Sequence, residues 1–241
     1  MSKLVIVTGA SRGLGLAICR QLLQQGFTVL ALARTLSTDL NALTEQYGSD
    51  LTFVSADLSD LDNIQPLCSE LIKQHGRPYA LINNAAVGYD GVLATMHNSE
   101  INSLLNLNIQ APILLSKYLL RPMLLNQSGR IVNISSIIAR TGFNGLSVYA
   151  ASKAALEGFS KSLAREVGKA GITVNCVAPG YMQTEMTSSL QGDKLESIKR
   201  RSPLGRLATP DDAASAVLYL LSEQAAAITG TTITVDAGSS A

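Results

Sequence analysis

The segment NGLSVYAASKAALEGF, residues 144–159, places a tyrosine, Tyr149, and a lysine, Lys153, four apart in a run built mostly of small residues. On a helix that spacing puts both side chains on one face. A free phenol has a pKa near ~10 and resists ionising at neutral pH, whereas a neighbouring ammonium favours the phenolate and brings the value toward the working range. A phenol tuned in this way can pass a proton to a reacting oxygen or take one from it. The same spacing also occurs on a solvated helical face, so the pair acquires meaning only from its surroundings.

A second stretch, TGASRGLG at residues 8–15, has the composition of a phosphate-binding turn. Gly9, Gly13 and Gly15 let the backbone turn tightly and approach a pyrophosphate, whose charge the N–H groups at a helix start attract. The spacing is GxxxGxG, and the alternative is a plain tight turn between strand and helix. Further on, LALART (30–35) has Ala33 where an acid would bind a ribose hydroxyl, followed by Arg34. An arginine there pairs with a 2′-phosphate, and Arg12 in the glycine-rich turn can reach the same group, which favours NADP over NAD. Asp57, in SADLSD, suits the adenine amino group or, equally, a helix cap.

These residues need elements to position them. Short β-branched runs at 4–9, 28–33, 51–56, 80–85, 130–135, 172–178 and 232–237 alternate with stretches of helical period, such as LGLAICRQLLQQ at 14–25. Strands that are apolar on both faces belong to a parallel sheet covered by helices. The predicted fold class is therefore α/β: one Rossmann-type, doubly wound parallel sheet of about seven strands with helices on both faces. With 241 residues, 46% of them hydrophobic and 15% charged, the chain reads as a single domain over 1–241. Residues 183–209, polar and basic, are long enough for a lid.

A formal net charge of +1 supplies no strong field for nucleic acid or an anionic membrane, and no apolar run has the length of a span. Cys19, Cys68 and Cys176 lie far apart with no CxxC pair, so no metal site and no disulfide framework is expected. The first strand begins at once, leaving no room for a signal peptide, and the expected location is the cytoplasm.

With TGASRGLG, NNAA (83–86), NLN (106–108), ISS (134–136), YAASK (149–153) and PGYMQT (179–184) in that order, the chain resembles the short-chain dehydrogenase/reductases from Lys3 to Gly238. The resemblance implies hydride transfer to or from a carbonyl. It makes Tyr149 the general acid or base, Lys153 its partner and a ligand of the nicotinamide ribose, Ser136 the donor to the substrate oxygen, and Asn108 the holder of a relay water. Ser135 and Asn106 are the neighbouring decoys, and Ser135 and Ser136 also read as strand caps.

For an NADPH/NADP+ cofactor the resemblance implies contacts from Gly9, Ser11, Arg12, Gly13, Leu14 and Gly15, then from Arg34, Asp57 and Leu58. It adds Asn83, with Asn84 only tying strands together, and Ala85, Tyr149 and Lys153. Pro179, Gly180, Met182 and Thr184 complete the set. Two departures stand out: Ala86 replaces the glycine of NNAG, and Ala237 replaces a glycine of VDGG in a region that the family buries between subunits.

Within the family, GRIVNISS, ITVNCVAPGYMQTEM, SPLGR and ITGTTITVDAG look most like the 3-oxoacyl-[acyl carrier protein] reductases. That implies NADPH-dependent reduction of a 3-oxoacyl thioester in fatty-acid synthesis, an acyl carrier protein as partner, and a homotetramer. Lys194, Lys199, Arg200, Arg201 and Arg206 offer basic surface for the acidic carrier. A reductase of a free ketone, sugar or cyclic alcohol and a non-catalytic NADP-binding subunit are the alternatives.

Overall fold

The computed structural model describes residues 2–182, 199–200 and 202–241. Its strands are β1 (Leu4–Thr8), β2 (Thr28–Ala33), β3 (Leu51–Ser55), β4 (Ala80–Asn83), β5 (Gly129–Ile134), β6 (Ile172–Pro179) and β7 (Thr232–Val235). They form one seven-stranded sheet in the order β3-β2-β1-β4-β5-β6-β7. Every neighbouring pair is parallel.

Alternation along the strands feeds two cores. Val5, Val7, Val29 and Ala31 face one side, where they meet α1 (Gly13–Gln24) and Leu40 of α2 (Thr38–Tyr47). Leu4, Ile6, Leu30 and Leu32 face the other, against α3 (Ile64–His75) and α5 (Ala111–Asn126). The short α4 (Asn98–Leu105) precedes α5, and α6 (Ile138–Thr141) precedes the long α7 (Ser147–Val167), which joins the second core. The last helix, α8 (Pro210–Leu221), packs beside α1 in the first core. Strands apolar on both faces need helices on both faces, so the doubly wound arrangement follows from burial. The three cysteines are buried and free. Among the described residues, no helix is long and apolar enough to cross a membrane.

The chain reverses its direction of travel across the sheet between β1 and β4, and a crevice forms outside the carboxyl ends of strands at such a point. There the Thr8 hydroxyl accepts from the backbone N–H of Asn84 and of Ala85, both at 2.9 Å. A Cβ on Gly9 would lie 2.9 Å from the Ala85 Cα, and Gly9 has φ +65°, so glycine is required on two counts. Residues 183–198, most of the expected lid and including Thr184 and Lys194, lie outside the described residues, as does Arg201. The segment leaves at Met182 and returns at Ala208, the two being joined by an isolated parallel bridge.

Candidate active site

The glycine-rich turn links β1 to α1. Gly9 and Gly13 both have positive φ, and a Cβ on Gly15 would stand 2.1 Å from the Gly9 carbonyl oxygen. Arg12 is the N-cap of α1, yet no side chain caps that helix and no acid lies in its first turn. Its leading N–H groups are thus available to an anion, which the helix dipole also favours. Beyond β2, Arg34 is exposed just after the buried Ala33, and no acid ends the strand. Ser37 donates to the Ser11 carbonyl, holding the β2 exit against the turn. These features fit a phosphorylated dinucleotide. Leu14 and Leu58 turn their side chains into the two cores, so these positions offer a ligand only their backbone. The Asp57 carboxylate accepts from the Ser59 N–H at 3.0 Å and hydroxyl at 2.6 Å, which draws its pKa down with help from Arg34.

At the end of β4 the side chain of Asn83, expected beside the cofactor, instead ties strands together. The Asn83 side chain is buried in the sheet and donates to Asn133 at 2.7 Å and Ser116 at 3.3 Å. The side chain of Asn84, in contrast, donates to the carbonyls of Thr8 at 2.9 Å and Gly9 at 3.1 Å, bracing the glycine-rich turn. Asn83 is the last residue of β4 and keeps the strand's alternation; Asn84 is the first free of it.

The tyrosine and lysine are brought to this crevice by α7. Lys153 is buried, donates to the Ile134 carbonyl at 2.9 Å, and holds its Nζ 5.6 Å from the centre of the Tyr149 ring. Burial lowers the lysine's pKa to about 8. The phenol departs from the sequence expectation. Burial pushes Tyr149 up to about 12, against the opposing effect of the Ser136 hydroxyl beside it. Tyr149 is therefore a protonated donor at neutral pH, because desolvation outweighs the Ser136 hydrogen bond. The ring passes Gly88, where a Cβ would lie 3.7 Å from it.

Ser136 follows β5 and accepts from the Ile138 N–H at 3.3 Å, at the start of α6. Ser135 faces inward, donating to Glu157 at 2.9 Å and to the Lys153 carbonyl at 3.3 Å. Glu157 in turn accepts from Arg140 at 3.1 Å. This linkage ties the Ser136 turn to α7, and Glu157 stands one further turn along the face of Tyr149 and Lys153. Helical spacing from that pair was the signal that could have found it.

Between α4 and α5 the helix loosens into one π-helical turn over Asn106–Gln110. The wider turn sends Asn108 inward to full burial, while Asn106 accepts from exposed Gln110. Asn108 accepts from the Val87 N–H at 2.9 Å and donates to the Val87 carbonyl at 2.8 Å and to Ser152 at 3.2 Å. Ser152 donates to the Tyr149 carbonyl at 2.7 Å, so Asn108 connects the loop after β4 to the tyrosine's own turn. Sequence reading counted Ser152 only among the small residues.

After β6, the Pro179 carbonyl accepts from Ile137 at 3.0 Å and the Gly180 N–H donates to Val235 at 2.9 Å. A Cβ on Gly180 would be 2.6 Å from that of Asp236. Tyr181 and the half-buried Met182 follow. Ala86 has no positive φ, whereas Ala237 has φ +56°, the left-handed region in which glycine is at ease.

The glycine-rich turn, the exit of β2, and Asn108, Ser136, Tyr149 and Lys153 thus lie around one end of the sheet. A family model described as enoyl-(acyl carrier protein) reductase matches residues 9–240. The chain is 39% identical to the 3-oxoacyl-[acyl-carrier-protein] reductase of Vibrio harveyi, covering 98% of this chain and 96% of that one. It is 41% identical to carbonyl reductase family member 4 of Xenopus laevis, covering 99% and 98%. A crystal structure of a putative NAD(P)-dependent gluconate 5-dehydrogenase from Beutenbergia cavernae, with bound NADP at low occupancy, superposes with TM-score 0.92 at 33% identity, covering 98% and 96%. Matched in this way over nearly its whole length, the chain is an oxidoreductase and belongs to the short-chain dehydrogenase/reductase family.

Proposed function

We propose that the protein reduces the 3-oxo group of an acyl thioester with NADPH, the acyl group being carried on acyl carrier protein. The observation that carries this reading is the half-buried phenol of Tyr149, kept protonated, with the Ser136 hydroxyl beside it and the Lys153 Nζ 5.6 Å from its ring centre. Hydride addition to a carbonyl carbon leaves negative charge on oxygen, and the rate gains from donors already aimed at that oxygen. Ser136 and Tyr149 both donate to it, and Tyr149 gives up its proton as the alkoxide forms. Lys153 stabilises the phenolate left behind. Asn108 fixes Val87 and, through Ser152, the tyrosine's helix turn.

The glycine-rich turn and the uncapped start of α1 are the features that suit the pyrophosphate of NADPH. Arg34, with Arg12, suits its 2′-phosphate, and Tyr149 and Lys153 suit its nicotinamide ribose. Bound there, the cofactor supplies the hydride. Ser11, Gly180 and Met182 remain candidates for further contacts on the same path, as does Thr184.

Identity to 3-oxoacyl-[acyl-carrier-protein] reductases supports the thioester substrate. So do the exposed apolar residues Val92, Leu93 and Phe143, on loops joined where the Gly91 N–H donates to Gly145 at 3.0 Å. The family model's description names reduction of a carbon–carbon double bond. Paired donors for an oxygen favour the carbonyl instead. Docking of an acidic carrier would draw on Arg200 and residues near it, because Arg206 is already paired with Asp212. The likeness to a carbonyl reductase and to a gluconate dehydrogenase favours a second reading, reduction of a free ketone or sugar. We also infer a cytoplasmic homotetramer from the family, with the small exposed residues Ala151, Ala154 and Ala155 of α7 giving a face for close helix packing.

Rates of NADPH oxidation with acetoacetyl thioesters on carrier protein and on coenzyme A, set against a panel of free ketones, test the substrate. The thioester on carrier protein is expected to be turned over best; equal or better rates with free ketones would sink that reading.

A further inference from the structure

Tyr181 stands immediately after the Pro179-Gly180 pair that closes β6, and nothing so far uses it. Its ring meets Phe143 edge-on, with centroids 5.8 Å apart and planes at 65°. Its hydroxyl is buried and makes no hydrogen bond to any of the described residues. Buried tyrosine hydroxyls ordinarily find a partner. Two other buried polar atoms are unpaired among the described residues, Asn83 Oδ1 and Arg130 Nε, but each belongs to a group bonded through another atom. The Tyr181 hydroxyl has no such second anchor.

Its position is held from both sides. Pro179 is tied to the Ser136 turn through the Ile137 N–H at 3.0 Å, and Gly180 is tied to β7 through Val235 at 2.9 Å. The Ile137–Pro179 bond sets Tyr181 two residues from the strand end that faces the Ser136 turn, and the phenol is within electrostatic reach of Tyr149 and of Asp90. Burial and Asp90 both favour its protonated form, a hydrogen-bond donor. Ser136 and Tyr149 already serve the reacting oxygen, so a third donor has a different acceptor to meet.

We propose that the Tyr181 hydroxyl binds a second acceptor on the substrate, separate from the carbonyl being reduced, and so selects substrates such as a 3-oxoacyl group, whose acyl carbonyl lies two carbons away. The assignment rests on the reading of Tyr149 and Ser136 as the pair at the reacting oxygen. A site built to hydrogen-bond a substrate group discriminates strongly against an analogue that lacks it. Phe143 holds the Tyr181 ring and adds an apolar rim beside it.

Tyr181→Phe removes the hydroxyl and keeps the ring contact with Phe143. The test compares ethyl acetoacetate with 2-heptanone, a chain of equal length without the ester, at saturating NADPH. The variant is expected to lose about tenfold in kcat/KM for ethyl acetoacetate, mostly through KM, and to stay within about twofold for 2-heptanone. Its melting temperature should be unchanged or higher, since the lost hydroxyl had no partner among the described residues. Equal effects on both substrates, no effect on either, or a wild-type preference for 2-heptanone would overturn the assignment. Acetoacetyl-coenzyme A assayed alongside separates the two claims: its rejection by the wild type strikes the thioester substrate, while the ratio of ester to ketone still decides Tyr181.

Discussion

At Tyr149 and Lys153 one cause, removal from water, moves two pKa values in opposite directions, the phenol to about 12 and the ammonium down to about 8. A phenol held protonated is ready to act as an acid, which suits reduction. The rate of reduction should therefore be level below about pH 8 and fall above it as Lys153 loses its proton. A pH profile of kcat/KM with NADPH checks this, and a rate still level at about pH 9.5 would contradict it. Arg34 makes a second prediction at this scale. Arg34→Ala should raise the dissociation constant for NADPH about tenfold and leave NADH within about twofold, because only the former carries the 2′-phosphate. Fluorescence titration with each cofactor measures it; equal losses would remove the basis for the cofactor choice. Residue types and spacing pointed to both of these ends of the candidate site. They could not show that desolvation dominates at Tyr149, since depth of burial is a tertiary quantity. Nor could they tell Asn83 from Asn84, where a single step along the strand decides which side chain enters the sheet.

Among the elements, β1 and α1 were readable from periodicity and glycine placement to within a residue or so, while α7 was read only as a helical stretch around Tyr149 and Lys153 and runs on to Val167. The π-helical turn was not. NLN looks like any polar break in a helix, and only the wider turn explains how Asn108 arrives fully buried beside Val87 and Ser152. Removing it leaves the Val87 N–H and carbonyl without their partner, a cost of about 1–3 kcal/mol for buried groups left unsatisfied. Asn108→Ala should accordingly lower the melting temperature, slow turnover, and speed hydrogen exchange in the loop around residues 85–91. Exchange there at the wild-type rate would show that Asn108 does not hold the loop. The Glu157 linkage belongs to the same scale, since it couples α6 to α7 through side chains contributed by three segments. Nothing local in any one of them announces it.

Across the whole molecule, βα repetition together with right-handed crossovers was enough to anticipate a seven-stranded parallel sheet. The crevice then follows from strand order. β1 and β4 part the chain's path, and the glycine-rich turn, the Thr8 and Asn84 brace and the Tyr149 helix converge on their carboxyl ends. Less legible was Ala237, whose positive φ sits in the C-terminal turn where the Ser202 hydroxyl donates to its carbonyl at 2.6 Å. The sequence flagged the missing glycine, while the structure shows that alanine adopts glycine's conformation there. The proposed function makes the fold a frame for a proton donor beside a cofactor crevice, with Tyr149 at its centre. Single-turnover oxidation of bound NADPH by acetoacetyl-acyl carrier protein, compared between the wild type and Tyr149→Phe, tests that claim most directly. The account predicts NADPH binding weakened by no more than about tenfold, for the lost ribose contact, and a loss of about a hundredfold or more in the single-turnover rate of reduction at saturating NADPH; a variant that reduces the thioester as fast as the wild type would contradict it.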